Sequence, residues 1–156
     1  MTTIGFDLGT HCGWAVCREG MIVSSDCRDF ERGEYGYGHL FNQFRKLVMD
    51  LRGYDHLSHQ PIVWAYEAPH FRGGPATRIT VGMSAHLMEL AHHWGETCQS
   101  VHTATLKKFS TGSGRAGKPA MMAQARLNSR MGGEMSEHEA DAILVALWAA
   151  KQREEV

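Results

Sequence analysis

The chain has 156 residues, 43% of them hydrophobic, which is enough apolar material for one domain with a single sizeable core. No run approaches the roughly 20 apolar residues of a membrane span, and no basic patch leads into an apolar stretch at the start, so we expect a cytoplasmic protein without membrane contact. The formal net charge of -1 at pH 7 argues against a uniformly basic protein.

The first third of the chain predicts three strands and a helix. Short apolar runs at 3–7, 13–17 and 21–23 are separated by glycine-containing turns, which is typical of an antiparallel meander. A helix ending at Gly53 is indicated by apolar residues at helical spacing, namely Leu40, Phe41, Phe44, Leu47, Val48 and Leu51. The continuously apolar stretch 61–66 predicts a strand that is covered on both faces.

The rest of the chain predicts alternating helices and strands. A helix is expected from about 76 to 94 and a short strand over 97–101, before a turn-like segment at 105–109 and a polar, glycine-rich loop at 110–117. Pro119 suits the first turn of a helix that runs to about Arg130, and Ser136 with Glu139 predicts a capping box for the last helix. We therefore predict an α/β domain over residues 1–156 with a central mixed sheet flanked by helices.

The charge is unevenly distributed along the chain. Residues 72–130 contain eight basic and two acidic side chains, a net charge of +6, so the remaining residues carry −7. The basic side chains are Arg72, Arg78, Lys107, Lys108, Arg115, Lys118, Arg126 and Arg130. This segment is either a solvated face or a surface that binds nucleic acid.

The four cysteines and ten histidines do not follow a zinc-binding pattern. Cys12, Cys17, Cys27 and Cys98 include no CxxC pair, so we expect free thiols. The pairs His56/His59 and His92/His93 lack cysteine partners at zinc spacing, which favours solvated or packing roles.

Two acidic residues follow directly on predicted strands. Asp7 ends the first strand beside Gly9, and Glu67 ends the strand at 61–66 before Pro69 stops it. A carboxylate at the end of a buried strand costs desolvation free energy unless it is paired or binds a cation. Each residue alone is equally compatible with a turn, cap or surface position.

The last helix contributes a third carboxylate. Asp141 lies among apolar residues, and His138, three residues earlier, shares its helix face, so we predict that imidazole and carboxylate point together toward the sheet. Glu137 is an alternative to His138 in this role, and all three could instead be ordinary first-turn residues. Together with Asp7 and Glu67 they predict a site for Mg²⁺, which prefers carboxylate oxygens, or for Mn²⁺, which also accepts imidazole.

These motifs resemble, almost from end to end, the RuvC family of Holliday-junction resolvases, including bacteriophage-type members. The matching segments are Gly5-Phe6-Asp7-Leu8-Gly9, Tyr66-Glu67, Leu106 to Lys118, and His138-Glu139-Ala140-Asp141-Ala142. The opening motif alone is shared with actin-like kinases, which need two such domains, whereas the basic segment Leu106 to Lys118 is more specific. The resemblance implies an RNase H-like fold with a five-stranded sheet, three strands antiparallel and then two parallel.

The resemblance also implies a homodimer that nicks two strands of a four-way DNA junction, leaving 5′-phosphate and 3′-hydroxyl ends. Asp7, Glu67, His138 and Asp141 would hold two Mg²⁺ ions, with Mn²⁺ able to substitute. Many members have aspartate in place of His138. Lys107 and Lys118 match family lysines that contact phosphate and support catalysis, and Phe71 is the nearest candidate for an aromatic residue that opens the junction. Further expected DNA contacts are Arg72, Arg78, Lys108 and Arg115, in a bacterial or phage-infected bacterial cell.

Two other functions are compatible with these residues. One is a broader RNase H-like nuclease that cuts flaps, forks or structured RNA. The other is a junction-binding module without catalysis. Paired nicking requires two sites related by a twofold axis, so a monomeric protein would favour the broader nuclease over the resolvase. Failure to bind Mg²⁺ or Mn²⁺ would favour the junction-binding module.

Overall fold

The computed structural model describes residues 1–53, 61–129 and 132–154, and a five-stranded sheet lies at its centre. The strands are β1 (Thr2–Asp7), β2 (His11–Arg18), β3 (Met21–Asp29), β4 (Ile62–Glu67) and β5 (Thr97–Val101). Their order is β3-β2-β1-β4-β5; β1 to β3 pair antiparallel, and β4 is parallel to both β1 and β5. The predicted meander and mixed sheet are confirmed.

Helices cover both faces of the sheet. They are α1 (Gly36–Gly53), α2 (Gly74–His93), α3 (Thr103–Thr111), α4 (Lys118–Ser129) and α5 (Glu137–Glu154). Alternate side chains of β4 enter different cores: Trp64 packs with residues of α1 and α2, whereas Val63 and Ala65 pack with residues of α3 to α5. The uninterrupted apolar character of β4 follows from this burial on both sides, as predicted.

Helix α5 lies unusually close to β1 and β2. An added Cβ at Gly5 would come within 2.4 Å of the Ala146 backbone nitrogen, and one at Gly13 within 1.9 Å of the His138 carbonyl oxygen. The buried Thr3 hydroxyl also donates a hydrogen bond to the Ala146 carbonyl, at 2.9 Å. Gly13 therefore fixes where the first turn of α5 meets the sheet, and Gly5 and Thr3 fix the packing of its middle.

The prediction of a turn and loop over Leu106 to Lys118 was wrong for its first half. Residues 103–111 form helix α3, which ends where Gly112 adopts a left-handed conformation and its N–H donates to the Lys108 carbonyl. Leu106 is buried against the core formed by α4 and α5. Burial of one leucine in this tertiary contact outweighs the weak helix propensity of the threonine-rich segment.

Several local predictions can be compared with the structure. The Ser136 hydroxyl accepts the Glu139 N–H at 3.0 Å, as predicted, but the Glu139 carboxylate accepts a hydrogen bond from Ser25 at 2.7 Å, so the predicted reciprocal cap is replaced by a tertiary contact. None of the four cysteines, all of which lie within the described residues, forms a disulfide. His92 and His93 are exposed, whereas the pair at 56 and 59 lies outside the described residues. Within the described ranges, every helix is too short or too polar to cross a membrane.

Candidate active site

The two strand-end carboxylates meet at one edge of the sheet. β1 and β4 are parallel neighbours whose last paired residues are Phe6 and Tyr66, and Asp7 and Glu67 each follow by one residue. Their side chains are 22% and 19% exposed, so both are reached by solvent while most of each is covered. The parallel register therefore brings together two acids that are 60 positions apart in sequence.

The first turn of α5 adds His138 and Asp141 to this edge. His138 Nδ1 donates a hydrogen bond of 2.6 Å to Oδ2 of Asp7, and it also interacts electrostatically with Asp141, with which it shares the face of α5. The hydrogen bond to Asp7 raises the pKa of His138, against the opposing effect of partial burial. The Gly13 contact described above sets this geometry, because it holds the His138 backbone against β2.

Asp141 shows that the acids act as one electrostatic group. Burial, followed by repulsion from Asp7 and then from Glu67, raises the pKa of Asp141 to about 7. Burial and the charge of Asp7 also raise the pKa of Glu67, against the hydrogen bond that it accepts from Thr103. Since each acid disfavours ionisation of its neighbours, a cation among them would relieve the repulsion.

A small cavity of about 190 Å³ opens beside these acids. It is lined by Glu67, Asp141, Lys107, Lys118, Glu137, Thr103, Leu106, Met121 and Met122. Two larger hollows, of about 390 and 1010 Å³, are lined by other residues and contain neither the acids nor these two lysines. The charged side chains that line the cavity, and not its volume, therefore identify it as the candidate active site. Ammonium groups face carboxylates here across a space that could admit a phosphate group.

Lys118 and Glu137 form an ion pair at the mouth of the cavity. The hydrogen bond and charge of Glu137 raise the pKa of Lys118, and those of Lys118 lower the pKa of Glu137. Glu137 thus contacts a lysine, in contrast to the alternative in which it would replace His138. Both side chains are exposed, so the pair is readily exchanged for another partner of Lys118.

The donor atoms fit a hard divalent cation, although they are not arranged around one. Within residues 1–53, 61–129 and 132–154, no three histidine, cysteine or acidic side chains are grouped closely enough to hold a metal ion. Asp7 and Glu67 are hydrogen-bonded to other side chains, Asp7 to His138 and Glu67 to Thr103. Three carboxylates and an imidazole, with mutual repulsion in the absence of a cation, are nevertheless a donor set that Mg²⁺ or Mn²⁺ could take after side-chain rotation.

The remaining predicted DNA contacts form two separate groups. Lys108 and Arg115 are exposed on α3 and in the turn after it, on the side of the cavity lysines. Phe71 and Arg72 are exposed in the connection from β4 to α2, where Phe71 is 81% accessible, and Arg78 is exposed in the first turns of α2. The carboxylate edge therefore lies between two sets of basic residues, one set on each face of the sheet.

Sequence reasoning missed two neighbours of the acids. Thr103, the first residue of α3, donates to Glu67 and lies 3.0 Å from Nε2 of His70. His11 opens β2, and its ring stacks on that of His138 at 5.7 Å while its Nδ1 donates to Asp29 at 2.6 Å. Their positions in the chain could have indicated both residues, since Thr103 follows the strand next to β4 and His11 begins the strand next to β1.

No family model matches the sequence, and no curated protein sequence matches it either. Comparison with solved structures gives clear matches. The strand order, the helices on both faces and the acids at the strand ends define an RNase H-like α/β fold.

The matching structures identify this fold more narrowly. RuvC of Thermus thermophilus matches with a TM-score of 0.82 and 19% identity, covering 99% of this chain and 96% of its own. The same protein in complex with a Holliday junction substrate matches with a TM-score of 0.80 and 17% identity over the same shares. The yeast mitochondrial Holliday junction resolvase matches with a TM-score of 0.55 and 12% identity, covering 97% of this chain and 80% of its own. The chain therefore has the fold of the RuvC-family Holliday junction resolvases.

Proposed function

We propose that this protein is a crossover junction endodeoxyribonuclease that resolves Holliday junctions by metal-dependent, symmetric nicking. The observation that carries the proposal is the convergence of Asp7, Glu67 and Asp141 at one sheet edge, beside a cavity that also contains Lys107 and Lys118. Acids for a cation and ammonium groups for a phosphate are the two requirements of phosphodiester hydrolysis. The solved RuvC complex with a Holliday junction substrate supports the choice of branched DNA.

The acids and His138 would hold the metal ions. Asp7, at the end of β1 between Glu67 and α5, would act as a ligand together with Glu67 and Asp141. Two bound Mg²⁺ ions, or Mn²⁺ in their place, would activate the attacking water and stabilise the leaving oxygen. His138 would complete the set either as a ligand or as a group that orients water, and it would then give up its hydrogen bond to Asp7.

The lysines would neutralise the charge that develops on the phosphate. Lys107 and Lys118 line the same cavity as Glu67 and Asp141, so a phosphate held there meets both ammonium groups. Lys118 must break its ion pair with Glu137 to contact the phosphate, and this costs little free energy because the pair is exposed to solvent. We expect the products to carry 5′-phosphate and 3′-hydroxyl ends, as the resemblance to RuvC-family resolvases implies.

A homodimer would supply the second site for paired nicking, because symmetric cuts need two sites related by a twofold axis. Helix α2 exposes two apolar side chains, Val81 and Met88, seven residues apart on one face, which suit a contact between protomers. We also propose that the exposed Phe71 stacks on bases at the branch point, with Arg72 on the adjacent backbone. Light scattering of the wild type and of a Val81→Glu variant measures the oligomeric state, and a monomeric wild type would favour the broader nuclease.

The direct test compares four-way, three-way, flap and linear DNA with and without Mg²⁺. Wild-type protein should nick the four-way junction in pairs and only with the metal. Asp7→Asn should bind the junction but not cleave it, while Asp50→Asn, at an exposed carboxylate on α1, serves as the matched control and should cleave normally. Retained cleavage by Asp7→Asn contradicts the site. Equal cutting of flaps and junctions indicates a broader nuclease, and junction binding without metal binding or cleavage indicates a non-catalytic module.

A further inference from the structure

A cluster of aromatic rings and guanidinium groups lies at the same edge of the sheet as the acids, outside the cavity. β3 ends at Asp29, opposite His11, and His11 stacks on His138. The chain that leaves β3 therefore starts beside the candidate active site, and it runs through residues 30–35 into the first turn of α1. It carries the aromatic residues Tyr35 and Tyr37, which do not line the cavity.

The ring of Tyr37 is the centre of this cluster. The guanidinium carbons of Arg32 and Arg78 each lie 5.2 Å from its centroid, and Arg32 also donates a hydrogen bond of 3.3 Å to the Tyr37 hydroxyl. The ring of Tyr37 also stacks on that of Phe41, with 6.3 Å between their centroids. The contact with Arg78 joins the start of α1 to the start of α2, so it also links residues 30–36 with the connection that carries Phe71.

The cluster is packed tightly against α2. Phe41 packs over Gly82 of α2 so closely that an added Cβ there would come within 2.3 Å of the Phe41 ring. The same ring contacts His86 at 5.2 Å. A ligand that contacts Tyr37 and its guanidinium groups would therefore meet a preorganised surface, which loses little conformational entropy on binding.

Tyr35 stands at the solvent side of this surface. It is 82% exposed and lies 6.2 Å from the ring of His39, so it contributes almost nothing to the core. Glycines with positive φ stand on both sides of it, Gly33 at 56° and Gly36 at 63°. An exposed aromatic ring, two residues from the Tyr37 ring that carries two guanidinium groups, has the chemistry of a stacking platform for bases.

Charge decides between two kinds of nucleic-acid contact. The guanidinium carbons of Arg32 and Arg78 are at most about 10 Å apart, since each lies 5.2 Å from the centroid of one ring, so both positive charges attract an anion bound beside Tyr37. Glu31 and Glu34 lie in the same connection, so the local surface is not a continuous basic track for a duplex backbone. Stacking with one phosphate contact fits this surface better than a run of phosphate contacts.

We propose that Tyr35, Tyr37, Arg32 and Arg78 form a second nucleic-acid subsite, which binds an unpaired base and its phosphate next to the strand that is cut. Tyr35 stacks on the base, and the two guanidinium groups on the Tyr37 ring hold the phosphate. This subsite rests on the proposed function, because unpaired bases arise at the branch point when the bound protein opens the junction. It is distinct from Phe71, which lies in the neighbouring connection between β4 and α2.

The test uses cleavage-defective Asp7→Asn protein and two probes that contain 2-aminopurine, whose fluorescence falls when the base stacks. One probe is a four-way junction with the analogue at the branch point, and the other is a single-stranded oligonucleotide. Tyr35→Ala should weaken binding of both probes about tenfold and abolish the fluorescence change, whereas Tyr35→Phe should retain both. Leu127→Ala, at a 74% exposed residue on α4, is the matched control and should behave like the parent.

Salt dependence separates the two contacts within the subsite. Arg32→Gln should reduce the slope of log affinity against log salt by about one, since it removes one phosphate contact, while Tyr35→Ala leaves the slope unchanged. Unchanged thermal melting of Tyr35→Ala shows that the loss is not one of folding.

The two proposals fail in different ways. A parent protein that binds the junction no better than linear duplex contradicts the proposed function, but Tyr35-dependent quenching of the single-stranded probe would still support the subsite. A Tyr35→Ala protein that binds and quenches both probes like the parent overturns the subsite, even if junction preference is intact. Equal losses in Tyr35→Ala and Leu127→Ala overturn it as well.

Discussion

The raised pKa of Asp141 makes the metal-free protein sensitive to pH in a way that a single substitution can isolate. Burial and the charges of Asp7 and Glu67 raise this pKa from 3.8 to about 7, a difference of about 3 units. At about 1.4 kcal/mol per unit, ionisation of Asp141 costs the folded state at most about 4 kcal/mol. Relaxation of the cluster and access of water reduce this figure, so we expect about 1–3 kcal/mol. Asp141→Asn removes the charge at nearly constant volume.

The sign of the pH dependence of stability follows from proton binding. Between about pH 4 and pH 7 the folded protein holds a proton on Asp141 that the unfolded chain has released, so the free energy of unfolding falls as pH rises through this window. His138 acts in the same direction, because its raised pKa contributes stability that is present below the unfolded value and lost as pH rises through the folded one. The difference between wild type and Asp141→Asn separates the two contributions.

Urea unfolding at pH 5 and pH 8 in the presence of EDTA measures this effect. Wild type should lose more stability than Asp141→Asn between the two pH values, by about 1–3 kcal/mol, and Asp50→Asn should follow the wild type. Mg²⁺ at pH 8 should restore wild-type stability but have a much smaller effect on Asp141→Asn, because the variant lacks one proposed ligand. An Asp141→Asn protein that is no more stable than wild type at pH 8 in EDTA, or that Mg²⁺ stabilises equally, refutes the reasoning.

Three further substitutions test contacts around the acids. Gly13→Ala should lower the free energy of unfolding by about 1–3 kcal/mol and the cleavage rate at least tenfold, because the added Cβ would displace the His138 backbone. Urea unfolding and single-turnover cleavage measure the two effects, and Gly38→Ala, where the added Cβ meets open space, is the control. Thr103→Val should raise the pKa of Glu67 further, since it removes a hydrogen bond to the ionised form, and should move the acid limb of the cleavage profile to higher pH; an unmoved limb contradicts this. Glu137→Gln should release Lys118, so that junction binding becomes severalfold tighter and depends more steeply on salt. If Glu137→Gln tightens binding equally in a Lys118→Ala background, Lys118 is not the cause.

Local patterns were sufficient wherever one segment carries the whole physical cause. The apolar run of β4 predicts a strand that is buried on both faces, and the positions of Asp7 and Glu67 at strand ends follow from where apolar residues stop. The Ser136 cap could also be predicted, because its hydroxyl contacts an N–H only three residues away. In these cases the interaction and its signal lie within a few residues of each other.

The tertiary structure decided the rest, because the contacts join residues far apart in sequence. His138 bonds to Asp7 across 131 positions, since the contact of Gly13 with the α5 backbone determines where the imidazole lies. The segment 103–111 becomes a helix because Leu106 finds a core formed by later helices, and the helix then places Thr103 on Glu67. Sequence alone therefore determined which residues carry charge and where strands end, whereas packing determined which of those charges meet, because Coulomb and hydrogen-bond energies depend on distances that only the fold sets.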